Sequence, residues 1–98
     1  MCGAPAQDLS LEGIDVAAET VIQGTVTRGG QPEGGAYVRL LDASGEFTAE
    51  VVTSATGAFR FFARPGSWTV RALASGDAVG ETTVEAGQGA VTEAAIAL

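Results

Sequence analysis

Thr53-Ser-Ala-Thr-Gly-Ala-Phe-Arg-Phe-Phe-Ala-Arg-Pro-Gly-Ser-Trp-Thr-Val-Arg71 is the stretch whose pattern decides the fold. Phe59 and Phe61 alternate with Ala58 and Arg60, and Trp68, Val70 and Ala72 alternate with Thr69 and Arg71, so each run has one apolar face at period two. Between them, Arg64-Pro65-Gly66-Ser67 has the chemistry of a type II turn. Proline presets φ at the first central position, and glycine enters positive φ cheaply at the second. The stretch therefore reads as one β-hairpin that brings two phenylalanines and the only tryptophan to a single core.

The same alternation extends in both directions. Upstream, Ile22, Gly24 and Val26 share one face of a strand that begins at Thr20, with Val21, Gln23, Thr25 and Thr27 on the other. Gly29-Gly30-Gln31-Pro32-Glu33-Gly34-Gly35 reads as a glycine-rich connection without regular structure. A second strand, Ala36 to Leu41, points Val38 and Leu40 one way and Tyr37, Arg39 and Leu41 the other. Asp42-Ala43-Ser44-Gly45 reads as a type I turn closed by a left-handed glycine, leading to a partner strand from Phe47 to Thr53. Downstream, Val79 to Glu85 and Val91 to Leu98 complete seven short strands. Only Gly24 and Gly80 fall inside them. Gly24 lies on the inward face, where a ring from the opposite sheet, Trp68 or Phe59, is expected to cover it.

These elements predict an all-β domain over residues 20–98, a seven-stranded antiparallel Greek-key sandwich, preceded by a flexible leader over residues 1–19. The expected core is Ile22, Val26, Val38, Leu40, Phe59, Phe61, Trp68, Val70 and Ile96.

Composition narrows the chemistry. The 98 residues suffice for one core, and the absence of His, Lys and Asn excludes a Ser-His-Asp triad, a histidine metal site, a Schiff-base lysine and a P-loop. A lone cysteine, Cys2, makes neither an internal disulfide nor a multi-thiolate metal centre. Twelve acids against five arginines give a net charge of −7, which repels nucleic acid and anionic membrane surfaces. No run reaches a membrane-spanning length and no secretory signal opens the chain, so a cytoplasmic protein that is not an enzyme, with no cofactor and no metal, is expected.

Three groups of residues carry candidate roles. Cys2 is the only strong nucleophile; on a leader freed of Met1 it is either a sulfane-sulfur acceptor or incidental. Arg39, Arg60 and Arg71 share the outward parity of their strands and form either an oxyanion site or cross-strand pairs with acids such as Glu50 and Glu81. Tyr37, Leu41, Phe62 and Leu73 are also outward, marking a partner or homo-oligomer interface unless the register slips at Leu40-Leu41 or Phe61-Phe62, or the leader covers them. Asp42-x-Ser44-Gly45-Glu46 is too short for a calcium loop and reads as a hairpin turn.

Two resemblances follow from these motifs. Ile22-x-Gly24-x-Val26, Gly35-Ala36-x-Val38-x-Leu40, Thr56-Gly57-x-Phe59-x-Phe61 and Pro65-Gly66-x-Trp68-x-Val70 resemble transthyretin-like and carboxypeptidase-regulatory-like modules. The absence of lysine excludes the internal isopeptide bond of the related adhesin modules. More closely, Met1-Cys2-Gly3-Ala4-Pro5, Gly35-Ala36-Tyr37-Val38-Arg39-Leu40-Leu41-Asp42 and Phe59-Arg60-Phe61-Phe62-Ala63 resemble the SseC-like actinobacterial family. That resemblance implies an accessory role in sulfur metabolism beside a rhodanese-type thiosulfate sulfurtransferase, and it carries over no catalytic residue. The other expectation is a structural interaction module or homodimer without sulfur chemistry.

Overall fold

The strand pattern that starts at Thr20 becomes β1 (Thr20–Arg28), and the first sheet is built around it. The computed structural model describes residues 19–98. β8 (Ala90–Ala97) runs parallel to β1 along one edge from Thr20 to Thr27. Because β8 fills that edge, the other is shared by two antiparallel partners. β5 (Ala58–Phe62) takes Val21 to Thr25, and the two-residue β2 (Gln31–Pro32) takes Thr27 and Arg28. The second sheet has the order β4 (Phe47–Val52), β3 (Tyr37–Leu41), β6 (Gly66–Ala74), β7 (Ala78–Ala86), and every neighbouring pair in it is antiparallel. The result is an all-β, eight-stranded, open two-sheet sandwich.

All nine expected core residues lie in one cluster between the sheets. Phe59 and Phe61 sit at a centroid separation of 6.0 Å with their planes tilted by 56°. Trp68 is buried, and its one polar atom is satisfied: Nε1 donates to the Arg64 carbonyl at 2.8 Å. The β3–β4 hairpin also forms as its sequence predicts. Gly45 N donates to Asp42 O and Asp42 N to Glu46 O, each at 2.9 Å, with Gly45 at φ 86°.

Four expectations are corrected. Thr53–Arg71 is not a hairpin: β5 belongs to the first sheet and β6 to the second, and residues 63–65 arch across the core between them. Two strands facing each other across a core bury the same residues as two strands side by side, so the alternation is shared by both arrangements. Gly66 accordingly has φ 145° and opens β6, far from the value of about 80° of a type II turn. Second, the sheets are not wholly antiparallel, since β1 and β8 run the same way. Third, the glycine-rich connection contains β2, so the described residues form eight strands and not seven; Pro32, which lacks an N–H, is tolerated in this short edge pairing.

The fourth correction concerns Gly24. No ring covers it. A Cβ there would stand 1.6 Å from the Ala94 carbonyl oxygen, so glycine is required by the backbone of β8 within the same sheet. The leader expected over residues 1–19 lies, apart from Glu19, outside the described residues.

Two stability predictions follow from this packing. Trp68→Ala lowers unfolding free energy by about 3–5 kcal/mol, as large aromatic truncations in cores do. Trp68→Phe retains most of the apolar volume and loses the bond to Arg64, so its cost stays well below that of the alanine variant in urea denaturation. Gly24→Ala forces β8 away from β1 at a cost of order 1–3 kcal/mol or more. Hydrogen exchange in that variant accelerates selectively at the β1–β8 amides.

Candidate functional site

Antiparallel register places the outward side chains of β4, β3, β6 and β7 in transverse rows on the outer face of the second sheet. One row is apolar over all four strands: Val52, Tyr37, Leu73 and Val79 are consecutive register partners. Tyr37 and Val79 are each 53% exposed and Val52 47%, while Leu73 is half-buried between them. The next row is Glu50, Arg39, Arg71 and Glu81. Here Arg39 Nε donates to Glu50 Oε2 at 2.7 Å and Arg71 Nε to Glu81 Oε1 at 3.0 Å, so each central arginine is drawn to the acid on its adjacent edge strand.

The third row, Phe47, Leu41, Thr69 and Thr83, is shaped by a bulge. Register shifts between Leu40 and Leu41, which leaves Thr48 unpaired and sets Phe47 opposite Leu41. Leu41 is buried and Phe47 exposed.

The outer face of the first sheet carries a different ladder. Arg60 Nε donates to Gln23 Oε1 at 2.8 Å, and Gln23 Nε2 to Glu93 Oε2 at 3.2 Å, across β5, β1 and β8. Phe62 stands in the adjoining row, opposite Val21.

The expected site residues are therefore redistributed. Arg39 and Arg71 are neighbours engaged by glutamates, and Arg60 lies on the other sheet, so the three do not converge on an anion site. Tyr37 and Leu73 are direct register partners. Leu41, although on the same face, is buried, and Phe62 is on the opposite side of the sandwich, so the set of four does not make one surface. Val52 and Val79 replace them. Their outward parity was available in the sequence, but only the strand order aligns them with Tyr37 and Leu73. Cys2 lies outside the described residues.

At one end of the sandwich the β3–β4 turn and the β5–β6 arch enclose an open depression of about 420 Å³, lined by Asp42, Ser44, Arg64, Pro65, Ser67 and Trp68 among others. Several of its polar groups already have partners. Asp42 Oδ1 accepts from Ser44 Oγ at 2.6 Å, Ser44 N at 2.9 Å and Glu46 N at 3.0 Å, and Ser67 Oγ donates to Glu85. The Ser44 hydroxyl, followed by the Glu46 amide, holds the Asp42 carboxyl below its usual range. Asp42 thus serves as the cap of its own turn. Among the described residues no cluster of three or more acids, cysteines or histidines is arranged to hold a metal ion, and no helix is long and apolar enough to cross a membrane.

A family model described as a protein of unknown function, DUF1416, matches residues 2–98. The chain belongs to this family. An uncharacterised protein of Mycobacterium tuberculosis is 63% identical over 84 residues, covering 81% of this chain and 84% of the relative. Another, from Mycolicibacterium smegmatis, is 62% identical over 78 residues, covering 79% and 87%. Among solved structures, the dioxygenase domain of a dioxygenase carbohydrate-binding protein fusion from Streptomyces sp. SirexAA-E superposes with a TM-score of 0.64 at 16% identity, over 97% of this chain and 89% of that one. At that identity the likeness is one of fold alone.

The Asp42 cap makes the stability of this sandwich depend on pH. A carboxylate whose folded pKa is depressed contributes stability that is complete above the ordinary value of 3.8 and lost as pH falls through the lower folded value. Thermal unfolding followed from neutral pH to about pH 2 should show Asp42→Ala converging on the parent at the acid end and separating from it above.

Proposed function

We propose that this domain is a non-catalytic protein–protein interaction module that docks through the outer face of its second sheet. The observation that carries the reading is the register of Val52, Tyr37, Leu73 and Val79, which forms one apolar row from edge to edge of a four-stranded sheet. A solvated face of an antiparallel sheet normally carries polar side chains at its outward positions. A contiguous apolar row there, centred on a tyrosine and bordered by charged groups, has the make-up of an interface core with its rim. The paired row Glu50–Arg39–Arg71–Glu81 supplies that rim on one side.

We take the sandwich to be of the transthyretin-like, carboxypeptidase-regulatory-like kind, on the strength of the motif spacing between Ile22 and Ala72. The resemblance to SseC-like proteins supports a narrower form of the same role, in which the partner is a rhodanese-type thiosulfate sulfurtransferase. In that form the Cys2 thiolate attacks the outer sulfur of the enzyme's persulfide, leaving the enzyme's own thiolate and a persulfide on Cys2. Mass spectrometry after incubation with thiosulfate and the enzyme tests it: one added sulfur on the Cys2 peptide, absent in Cys2→Ser, supports transfer. Docking without modification removes it.

The docking face itself is tested by placing a photo-crosslinking amino acid at position 37, with position 95 on the first sheet as control. Adducts formed in the host cell at 37 in excess of 95, and lost in Leu73→Glu, are the expected result. Once the partner is identified, Tyr37→Ala should weaken the complex about 10- to 30-fold, the range of a central aromatic contact. Equal crosslinking at both positions overturns the assignment.

A further inference from the structure

We infer that the outer face of the first sheet is the seat of this chain's own N-terminal segment, with Leu9, Leu11, Ile14 and Val16 supplying the apolar cover over Val21. This inference is independent of the docking face on the second sheet. It starts from burial at positions whose parity points away from the core. Ile22 and Val26 turn inward into the cluster between the sheets, so Val21, Gln23 and Thr25 stand on the outer face of β1. No third layer lies over them among the described residues, whose strands all belong to the two sheets. Val21 is nevertheless 0% exposed and Gln23 5%. Register partners do not account for this. Phe62 and Val91 stand beside Val21 in the row, and Phe62 itself is 57% exposed. Neighbours at the strand spacing of about 4.8 Å narrow the approach to a side chain from the sides and leave it open from above. Leu73 shows the difference: flanked in the same way by Tyr37 and Val79, it stays half-buried.

The position of the cover identifies it. Burial on this face declines along β1 from Val21 through Gln23 to half-buried Thr25, so the cover is centred at the end where the chain enters the sheet. There Glu19 O accepts from Gly89 N at 3.1 Å and Thr20 O from Ala63 N at 3.0 Å, which brings the chain in between β5 and β8, at the foot of the Phe62–Val21–Val91 row. Eighteen residues precede Glu19, all outside the described residues. Their apolar positions include two alternating pairs, Leu9-x-Leu11 and Ile14-x-Val16. The four residues between Val16 and Val21 span up to about 14 Å, room enough to reverse over the strand end. A tethered segment also has an effective concentration in the millimolar range, which a second copy or another protein does not reach. Burying these side chains against Val21, Phe62 and Val91 removes the first sheet as an apolar surface. It also fixes the origin of Cys2, which then leaves the sandwich from Leu9 on a tether of seven residue steps, about 25 Å at full extension.

The test uses the full chain in a Cys2→Ser background, with Val21→Cys or Phe62→Cys as the single thiol, and measures the rate of labelling by a maleimide. Position 21 should react about tenfold or more slower than position 62, and its protection should fall about tenfold when Leu11→Ser and Ile14→Ser are added together. An unchanged Trp68 emission spectrum verifies that the sandwich is folded in each variant. A photo-crosslinking side chain at position 62 gives a second readout that leaves the segment itself unaltered: intrachain adducts with residues 9–16, at a yield independent of protein concentration, are expected. Labelling at position 21 as fast as at position 62 overturns the inference, as does protection indifferent to the double substitution in a folded chain. Adducts that join two chains and rise with protein concentration overturn it in favour of a second copy.

Discussion

β8 is seated by two glycines, and the closed side of the sandwich depends on that close approach. Gly24 in β1 admits the Ala94 carbonyl where a methyl group would stand 1.6 Å away. Gly80 in β7 does the same from the other sheet, where a Cβ would meet Ile96 Cγ2 at 2.9 Å and the Ala97 carbonyl at 3.0 Å. Every other glycine in the described chain lies in a turn, a connection or at a strand's first residue. With β8 held in this seat, Ala94 and Ile96 enter the core and β1 becomes an interior strand with both edges occupied. Lose the seat, and the longest strand of the first sheet has a bare edge.

The division between what was legible in the sequence and what was not follows the physics of period two. Alternation reports which face of a strand is buried, and the nine expected core residues could be read from it because the core lies between two sheets whatever their pairing. Alternation does not report neighbours. Phe59-x-Phe61 and Trp68-x-Val70 face each other across the core instead of lying side by side, and Pro65-Gly66 is compatible with an arch as well as with a tight turn. The Asp42–Gly45 hairpin was readable because its signal is chemical and local: an aspartate that accepts from Ser44 and Glu46, and a glycine at positive φ. The parallel pairing of β1 and β8 joins segments some seventy residues apart, and no local chemistry marks it.

The site shows the same boundary more sharply. Outward parity put Tyr37 and Leu73 on a surface correctly, yet it placed Phe62 with them although β5 is in the other sheet. Leu41 has outward parity and is nevertheless buried, opposite Phe47 beside the bulge at Thr48. Val52 and Val79 join the row only once β4 and β7 are known to flank β3 and β6. The arginines were readable as cross-strand partners of Glu50 and Glu81, since long side chains on adjacent strands meet opposite charges readily. Their distribution over two sheets was not.

Exposed pairs such as Arg39–Glu50 and Arg71–Glu81 contribute only about 0.2–1 kcal/mol each, so they are poorly explained as stabilisers of a domain whose core already holds two phenylalanines and a tryptophan. Their geometric effect is larger. Each pair pulls an arginine away from the sheet's midline towards an edge strand, which fixes the charged border of the apolar row and keeps the long side chains from folding over Tyr37 and Leu73. Meanwhile three of the strands at the borders of the sheets are poor templates for uncontrolled strand addition. β4 is broken by its bulge, β2 is two residues long with Pro32 in it, and β7 runs close beside β8. On the outer face of the second sheet, side chains and not backbone hydrogen bonds then select the partner, and the −7 charge opposes contact between like copies.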